Sequence, residues 1–227
     1  MHELEDRIKY TFKNQSLLDE ALTHRSFGTP NNERLEFLGD AVLNLVIGRY
    51  LFERHNDLPE GELTRVRSVL VDQDGLTRIS MDLDLGNYLK LGAGEQKTGG
   101  SERPSILSDA VEALFGAVYI DSGFESVERV IQYLYSSYLE NTDPRELSKD
   151  PKTKLQEFLQ GMRLGLPDYQ VIDILGEAHD QEFVVECRVS TFDVAAQGNG
   201  RSRRSAHAVV VAEPLQRLRE PVVQAVL

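Results

Sequence analysis

Five carboxylates in two short stretches could do chemistry together. In Asn31-Asn32-Glu33-Arg34-Leu35-Glu36-Phe37-Leu38-Gly39-Asp40, the three acids stand at i, i+3 and i+7. On a helix those positions share one face, where like charges repel. Leu35, Phe37, Leu38, Ala41, Val42, Leu43, Leu45, Val46 and Ile47 surround most of the same helix with apolar groups. That pattern predicts a helix buried on nearly all sides rather than a solvated acidic face. Asp109 and Glu112 repeat the arrangement at i, i+3 within an apolar stretch that runs from Ile106 to Ile120. Buried carboxylates must be paired, protonated or bound to a cation. Hard oxygen ligands clustered in this way suit Mg2+ or Mn2+. Spacing alone leaves a proton-sharing or arginine-paired cluster open as well.

The acids differ in how much their positions explain. Glu33 falls in the first helical turn after Asn31 and Asn32. An acid is favoured there by the helix dipole alone, so Glu33 has a structural reading beside a catalytic one. Glu36, Asp40, Asp109 and Glu112 lie deeper in their helices and have no such account. His24, in Thr23-His24-Arg25-Ser26, reads as a hydrogen-bonded structural residue rather than a ligand.

The elements that must hold these acids are helical. To about residue 140, apolar residues recur at three- and four-residue steps with few alternating runs. Residues 141–150 contain Pro144 and are polar, with Asp150-Pro151 as a second break, and read as a flexible linker. Beyond it the pattern changes. Lys152 to Gly161 is helical, Tyr169 to Leu175 and Glu182 to Val189 are strand-like, and Phe192 to Ala196 makes a third short strand. In Glu182–Val189, Phe183, Val185, Cys187 and Val189 alternate as one buried sheet face requires. Arg203 to about Ala212 is helical again, so residues 151–220 form a small α+β domain with the order α-β-β-β-α and 221–227 a tail.

Composition bounds the function without choosing it. The 227 residues carry a net charge of −12, which by itself counts against a nucleic-acid partner. Its distribution softens that reading. Residues 1–149 hold 16 basic and 26 acidic side chains, net −10, whereas 150–227 hold 9 and 11, net −2. In the second part Arg201, Arg203 and Arg204 cluster, and no acid stands between Asp193 and Glu213. Apolar runs such as Ala208–Ala212 fall far short of the ~20 residues a membrane helix needs. The polar, acidic start, Met1 to Asp6, lacks the pattern of a signal peptide, and Cys187 is the one cysteine. A cytoplasmic protein without an intrachain disulfide is expected.

The segment Glu33-Arg34-Leu35-Glu36-Phe37-Leu38-Gly39-Asp40-Ala41 resembles the hallmark of the ribonuclease III family. The resemblance continues in Gly61-Glu62-Leu63-Thr64-Arg65-Val66-Arg67, in Leu91-Gly92-Ala93-Gly94-Glu95 and in Ser105 to Ala113. It implies an all-α endonuclease domain over 1–140 that forms a homodimer, followed by a double-stranded RNA-binding domain. Glu36, Asp109 and Glu112 would hold Mg2+, with Mn2+ able to substitute, and Asp40 would act with Glu112 in catalysis. Glu33 is an additional acid. Phe37 would lie at the subunit contact, although its spacing also fits a core aromatic. The resemblance extends to Thr153 and Gln156 facing one minor groove, His179 reaching the next, and Arg203 and Arg204 meeting phosphates between them. Such recognition reads the shape of A-form RNA and its 2′-hydroxyls.

The reaction implied is metal-assisted hydrolysis of double-stranded RNA, from ribosomal precursors and structured transcripts, leaving 5′-phosphate and 3′-hydroxyl ends. A non-catalytic RNA-binding protein would be marked by loss of the acids. A phosphohydrolase for small nucleotides would leave the second domain unexplained. Ser205, His207 and Pro214 depart from the family pattern, and an interior proline costs a helix ~3 kcal/mol, so a kink or end near Glu213 and weaker RNA binding are expected.

Overall fold

The computed structural model describes residues 2–141, 143–149, 151–176, 181–189 and 194–200. The chain divides into two compact units, Met1–Ser148 and Lys149–Leu227.

In the first unit the helices are α1 (His2–Ile8), α2 (Gln15–Ala21), α3 (Glu33–Arg54), α4 (Glu60–Val71), α5 (Gln73–Asp82), α6 (Ala93–Lys97), α7 (Pro104–Ser122), α8 (Phe124–Asn141) and α9 (Pro144–Ser148). Helix α7 is the axle. Pro104 opens it, where a missing N–H costs nothing, and Gly123 ends it with φ +77°. Eleven of its residues are buried, including Leu107, Val111, Leu114, Phe115 and Val118. Burying a side chain of that size contributes ~1.5–3 kcal/mol, and α2, α3, α5 and α8 supply the packing surface.

Helix α3 packs across α7 at a crossing that has no room for side chains. A Cβ on Gly39 would stand 1.8 Å from the Glu112 carbonyl oxygen, and one on Gly116 would stand 2.2 Å from that of Leu35. The two backbones therefore meet at a glycine on each helix, beside the acids.

The expectation that α3 is buried nearly all round is corrected. Leu35, Val42, Leu43, Val46, Ile47 and Leu51 are buried, but Phe37 is 81% exposed, Phe52 69% and Leu45 58%. The helix is apolar on two faces, and only one of them meets this chain's core. Within the span expected to be a linker, residues 144–148 are helical. This helix, α9, packs on α4, with Arg145 bridging to Asp57 at 2.5 Å.

The second unit begins with α10 (Pro151–Gly161), followed by β1 (Asp168–Leu175), β2 (Glu182–Val189) and β3 (Val194–Gly200). The strands form an antiparallel sheet in the order β1-β2-β3. Leu155 and Leu159 of α10 pack with Val185, Cys187, Val189 and Ala196, so the alternation in β2 does mark its buried face. The third strand extends beyond the expected Phe192–Ala196 span. It pairs with β2 from Val189↔Val194 to Phe183↔Gly200, and its small side chains from Ala195 onward carry no alternating signal. The backbone ladder, not side-chain pattern, sets its length. The helix expected from Arg203, with Pro214, and the tail 221–227 lie outside the described residues.

Candidate metal centre and its cleft

The α3–α7 crossing brings two sequence-distant acid sets together. Glu36, Asp109 and Glu112 each offer a carboxylate oxygen, and these atoms lie within 4.8 Å of one another. All three side chains are half-buried. Among the described residues no lysine, arginine or histidine forms an ion pair with any of them, as Arg25 does with Glu33 at 3.4 Å.

This arrangement disfavours the ionised form of all three carboxyls. Burial pushes the Glu112 carboxyl up to about 8, helped by the charges of Asp40, Glu36 and Asp109. Burial also raises Glu36, with Asp109 and Glu33 adding repulsion. Asp109 is raised by burial, partly offset by a hydrogen bond from Ser108 and by the charges of His24 and Arg25. Proton sharing and cation binding are thus alternatives for one site rather than two different sites. Three converging hard oxygens, too close to be ionised together at little cost, suit a small divalent cation.

Asp40 stands apart from this trio. It is exposed, and its Oδ1 accepts a hydrogen bond of 2.8 Å from Asn44 Nδ2. It lies well inside α3, as its spacing predicts, but on the exposed side of the helix, and its charge reaches Glu36 and Glu112. The residue sits one turn beyond Glu36 on a helix side that turns toward solvent. Glu33 is exposed at the start of α3, where its N–H donates to Asn31 Oδ1 at 3.2 Å.

A cleft of about 480 Å3 opens at the trio, lined by Glu36 and Asp109 together with His24, Arg25, Ser26, Asn32, Glu95, Arg103 and Ser105. His24 Nδ1 lies 2.8 Å from Ser26 Oγ, in keeping with a structural histidine. Arg103 is closed onto Glu95 and also donates to Thr98 Oγ1.

Of the residues expected to contact RNA, Thr153 and Gln156 lie three apart on α10, both partly exposed. His179, Arg203 and Arg204 lie outside the described residues. Phe37 is on the surface, which removes its reading as a core aromatic. Sequence reasoning missed Gly39 and Gly116. The available signal was a glycine inside each acid-bearing helix, which costs about 1 kcal/mol there and needs a packing reason.

Comparison with known proteins agrees with this architecture. Residues 14–139 match the family model "Ribonuclease-III-like", and residues 151–208 match "Double-stranded RNA binding motif". The chain is 51% identical over 218 residues to ribonuclease 3 of Aromatoleum aromaticum, covering 96% of this chain and 97% of that one. It is 54% identical over 203 residues to ribonuclease 3 of Bordetella avium, covering 89% and 81%. Among solved structures, the nuclease domain of Campylobacter jejuni ribonuclease III superposes with a TM-score of 0.60 at 43% identity, over 63% of this chain and 98% of that one. A second structure of that domain, described for flexibility in a region involved in dimer formation, gives a TM-score of 0.58 at 45% identity, over 60% and 95%. With matches spanning both its units, the chain belongs to the ribonuclease III family.

Proposed function

We propose that this chain is a divalent-metal-dependent endonuclease that cuts double-stranded RNA as a cytoplasmic homodimer. Its substrates on this reading are ribosomal precursors and structured transcripts, and its products carry 5′-phosphate and 3′-hydroxyl ends. The observation that carries the reading is the trio Glu36, Asp109 and Glu112, converged within 4.8 Å and unpaired with any cationic side chain among the described residues.

The trio would hold Mg2+ or Mn2+. When bound, that ion supplies Lewis acidity toward a phosphate oxygen and a bound water of lowered pKa. Burial and three neighbouring acids push the Glu112 carboxyl up to about 8, so serving as a ligand would draw its proton off. Asp40, whose Oδ1 accepts from Asn44 Nδ2, stands at the edge of the trio and would act with Glu112 in catalysis. Glu33 extends the acidic rim and lies 3.4 Å from the Arg25 guanidinium.

Phe37, Leu45 and Phe52 form the subunit contact, since three large apolar side chains in one row on a helix are best covered by a second copy. Thr153 and Gln156 face a minor groove of the duplex, His179 the next, and Arg203 and Arg204 the intervening phosphates.

Cleavage of a long RNA duplex in Mg2+ by the unaltered protein and by Glu112→Gln tests this reading. Metal-dependent cutting, lost in the variant while duplex binding persists, is expected. Binding without cutting by the unaltered protein, in Mg2+ and in Mn2+, would leave an RNA-binding protein and no enzyme.

A further inference from the structure

The loop that carries Arg25 is built more firmly than a surface turn requires. Residues Thr23 and Lys90 form a parallel bridge, with His24 N–H donating to the Lys90 carbonyl at 3.0 Å and Lys90 N–H to that of Leu22 at 2.8 Å. Asn32 N–H, just before α3, donates to the Thr23 carbonyl at 2.9 Å, and Phe27 N–H donates to that of His24 at 2.9 Å. Ser26 Oγ accepts from Gly92 N–H at 2.9 Å. The approach of the two segments there is so close that a Cβ on Gly92 would stand 2.2 Å from the Ser26 carbonyl oxygen. Arg25 is thus presented from a backbone pinned both to residues 90–92 and to the N-terminal end of the acid-bearing helix.

The guanidinium itself is weakly engaged. Its bond to Glu33 is long, 3.4 Å, and the two side chains are 71% and 52% exposed. An ion pair of that kind contributes little and exchanges readily for another anion. Arg103, the other arginine lining the cleft, is held by Glu95, whose side chain is only 19% exposed. Among the described residues lining the cleft, Arg25 is therefore the arginine that can turn to a ligand. A phosphodiester backbone entering this cleft meets Glu33, Glu36, Glu95 and Asp109. It needs a cation that does not belong to the metal trio to keep it there. A planar guanidinium on a rigid loop suits a phosphate in two-point contact.

We propose that Arg25 is a positioning residue that exchanges Glu33 for a backbone phosphate of the RNA strand under attack and holds that strand against the Glu36–Asp109–Glu112 trio. The proposal rests on the endonuclease reading above. The competing role is purely internal, in which Arg25 only offsets the neighbouring carboxylates.

Single-turnover cleavage of an RNA duplex in Mg2+, over a series of KCl concentrations, separates the two roles. Arg25→Ala is expected to lower kcat/KM about 10- to 100-fold and to reduce the magnitude of the slope of log(kcat/KM) against log[KCl] by about one, the signature of one lost phosphate contact. Arg25→Lys should restore the slope and only part of the rate, because an ammonium keeps the charge without the fork. Glu33→Gln in the Arg25→Ala background should rescue neither. Full rescue by Glu33→Gln with an unchanged salt slope would overturn the proposal and leave Arg25 as an internal counter-charge. Failure of the unaltered protein to cut duplex RNA at all would overturn the endonuclease reading first and this proposal with it.

Discussion

At the scale of single residues, the chemistry turns on how far each carboxylate is held from its ordinary ionisation. Glu112 is the extreme case, pushed up to about 8 by burial and by three neighbouring acids. Replacing it with glutamine removes a ligand and leaves a neutral amide where burial and three neighbouring acids oppose a charge. Glu112→Gln should therefore lose metal-dependent cleavage by more than about 100-fold, a larger effect than losing an outer-shell partner. In EDTA its melting temperature should equal or exceed that of the unaltered protein. Mn2+ should raise the melting temperature of the unaltered protein and leave that of the variant almost unmoved, as thermal scans with and without the ion would read. Asp121 shows the opposite case. Burial raises its pKa, but hydrogen bonds from the Tyr10 hydroxyl and from the Lys13 and Asn14 N–H groups lower it by more, so the net shift is downward. A depressed folded pKa contributes stability that is complete above the unfolded value and is lost as pH falls through the folded one. Asp121→Asn should accordingly destabilise most near pH 7. The difference from the unaltered protein in urea unfolding should shrink below about pH 4 and vanish once the Asp121 carboxyl is protonated in the folded as well as the unfolded state. A constant difference across that range would show that geometry, not charge, is what Asp121 contributes.

Elements convert these residues into a site through one crossing. The i, i+4 spacing puts Glu36 and Asp40 on a common side of α3, and the i, i+3 spacing puts Asp109 and Glu112 on a common side of α7. Nothing in either segment says that the two sides face each other. Gly39 and Gly116 decide that, because only hydrogen fits where the Glu112 and Leu35 carbonyls press on them. Gly39→Ala should cost about 1–3 kcal/mol or more in urea unfolding, since the obstacle is backbone and cannot rotate away. It should also blunt the Mn2+-induced rise in melting temperature by spreading the trio. Gly94→Ala, with nothing within 4 Å of the added methyl and a helical location in α6, should be neutral or stabilising by about 0.4–1 kcal/mol. Equal effects of the two substitutions would mean that helix propensity, and not close approach, governs Gly39.

For the whole molecule, two features reach beyond the chain's own core. One is the row Phe37, Leu45 and Phe52 on α3, exposed by 81%, 58% and 69%. Phe37→Glu should shift the protein from dimer toward monomer in sedimentation velocity and lower cleavage in parallel, because a charge inserted at an apolar contact is left unpaired. A dimer unchanged by the substitution would move the contact elsewhere. The other is the separation into two units, each with its own apolar cluster. A chain ending at Ser148 should retain metal-dependent cutting at low salt and lose most of it near 0.15 M, where the acidic first unit alone attracts RNA poorly. Equal activity of the truncated and full chains at that ionic strength would deny the second unit its role in holding the duplex.

By itself the sequence determined which residues can act and on what kind of element they stand. The spacing of five acids, the change of periodicity after residue 150 and the alternation in Glu182–Val189 are local properties, and local backbone geometry expresses them directly. It also carried the resemblance that two matched families bear out. Only the tertiary structure decided which acids converge. Asp40 shares a face with Glu36 in sequence, yet the crossing leaves it exposed while drawing Asp109 and Glu112 in. Only the tertiary structure showed that α3 has an uncovered apolar face, since a run of apolar residues does not say whether its partner lies in the same chain. It likewise turned part of 141–150 into a helix docked on α4, a contact between residues far apart in the chain. Periodicity encodes the direction of a side chain, whereas proximity across some 70 residues between Glu36 and Asp109 depends on which backbones can approach, and two glycines settle that.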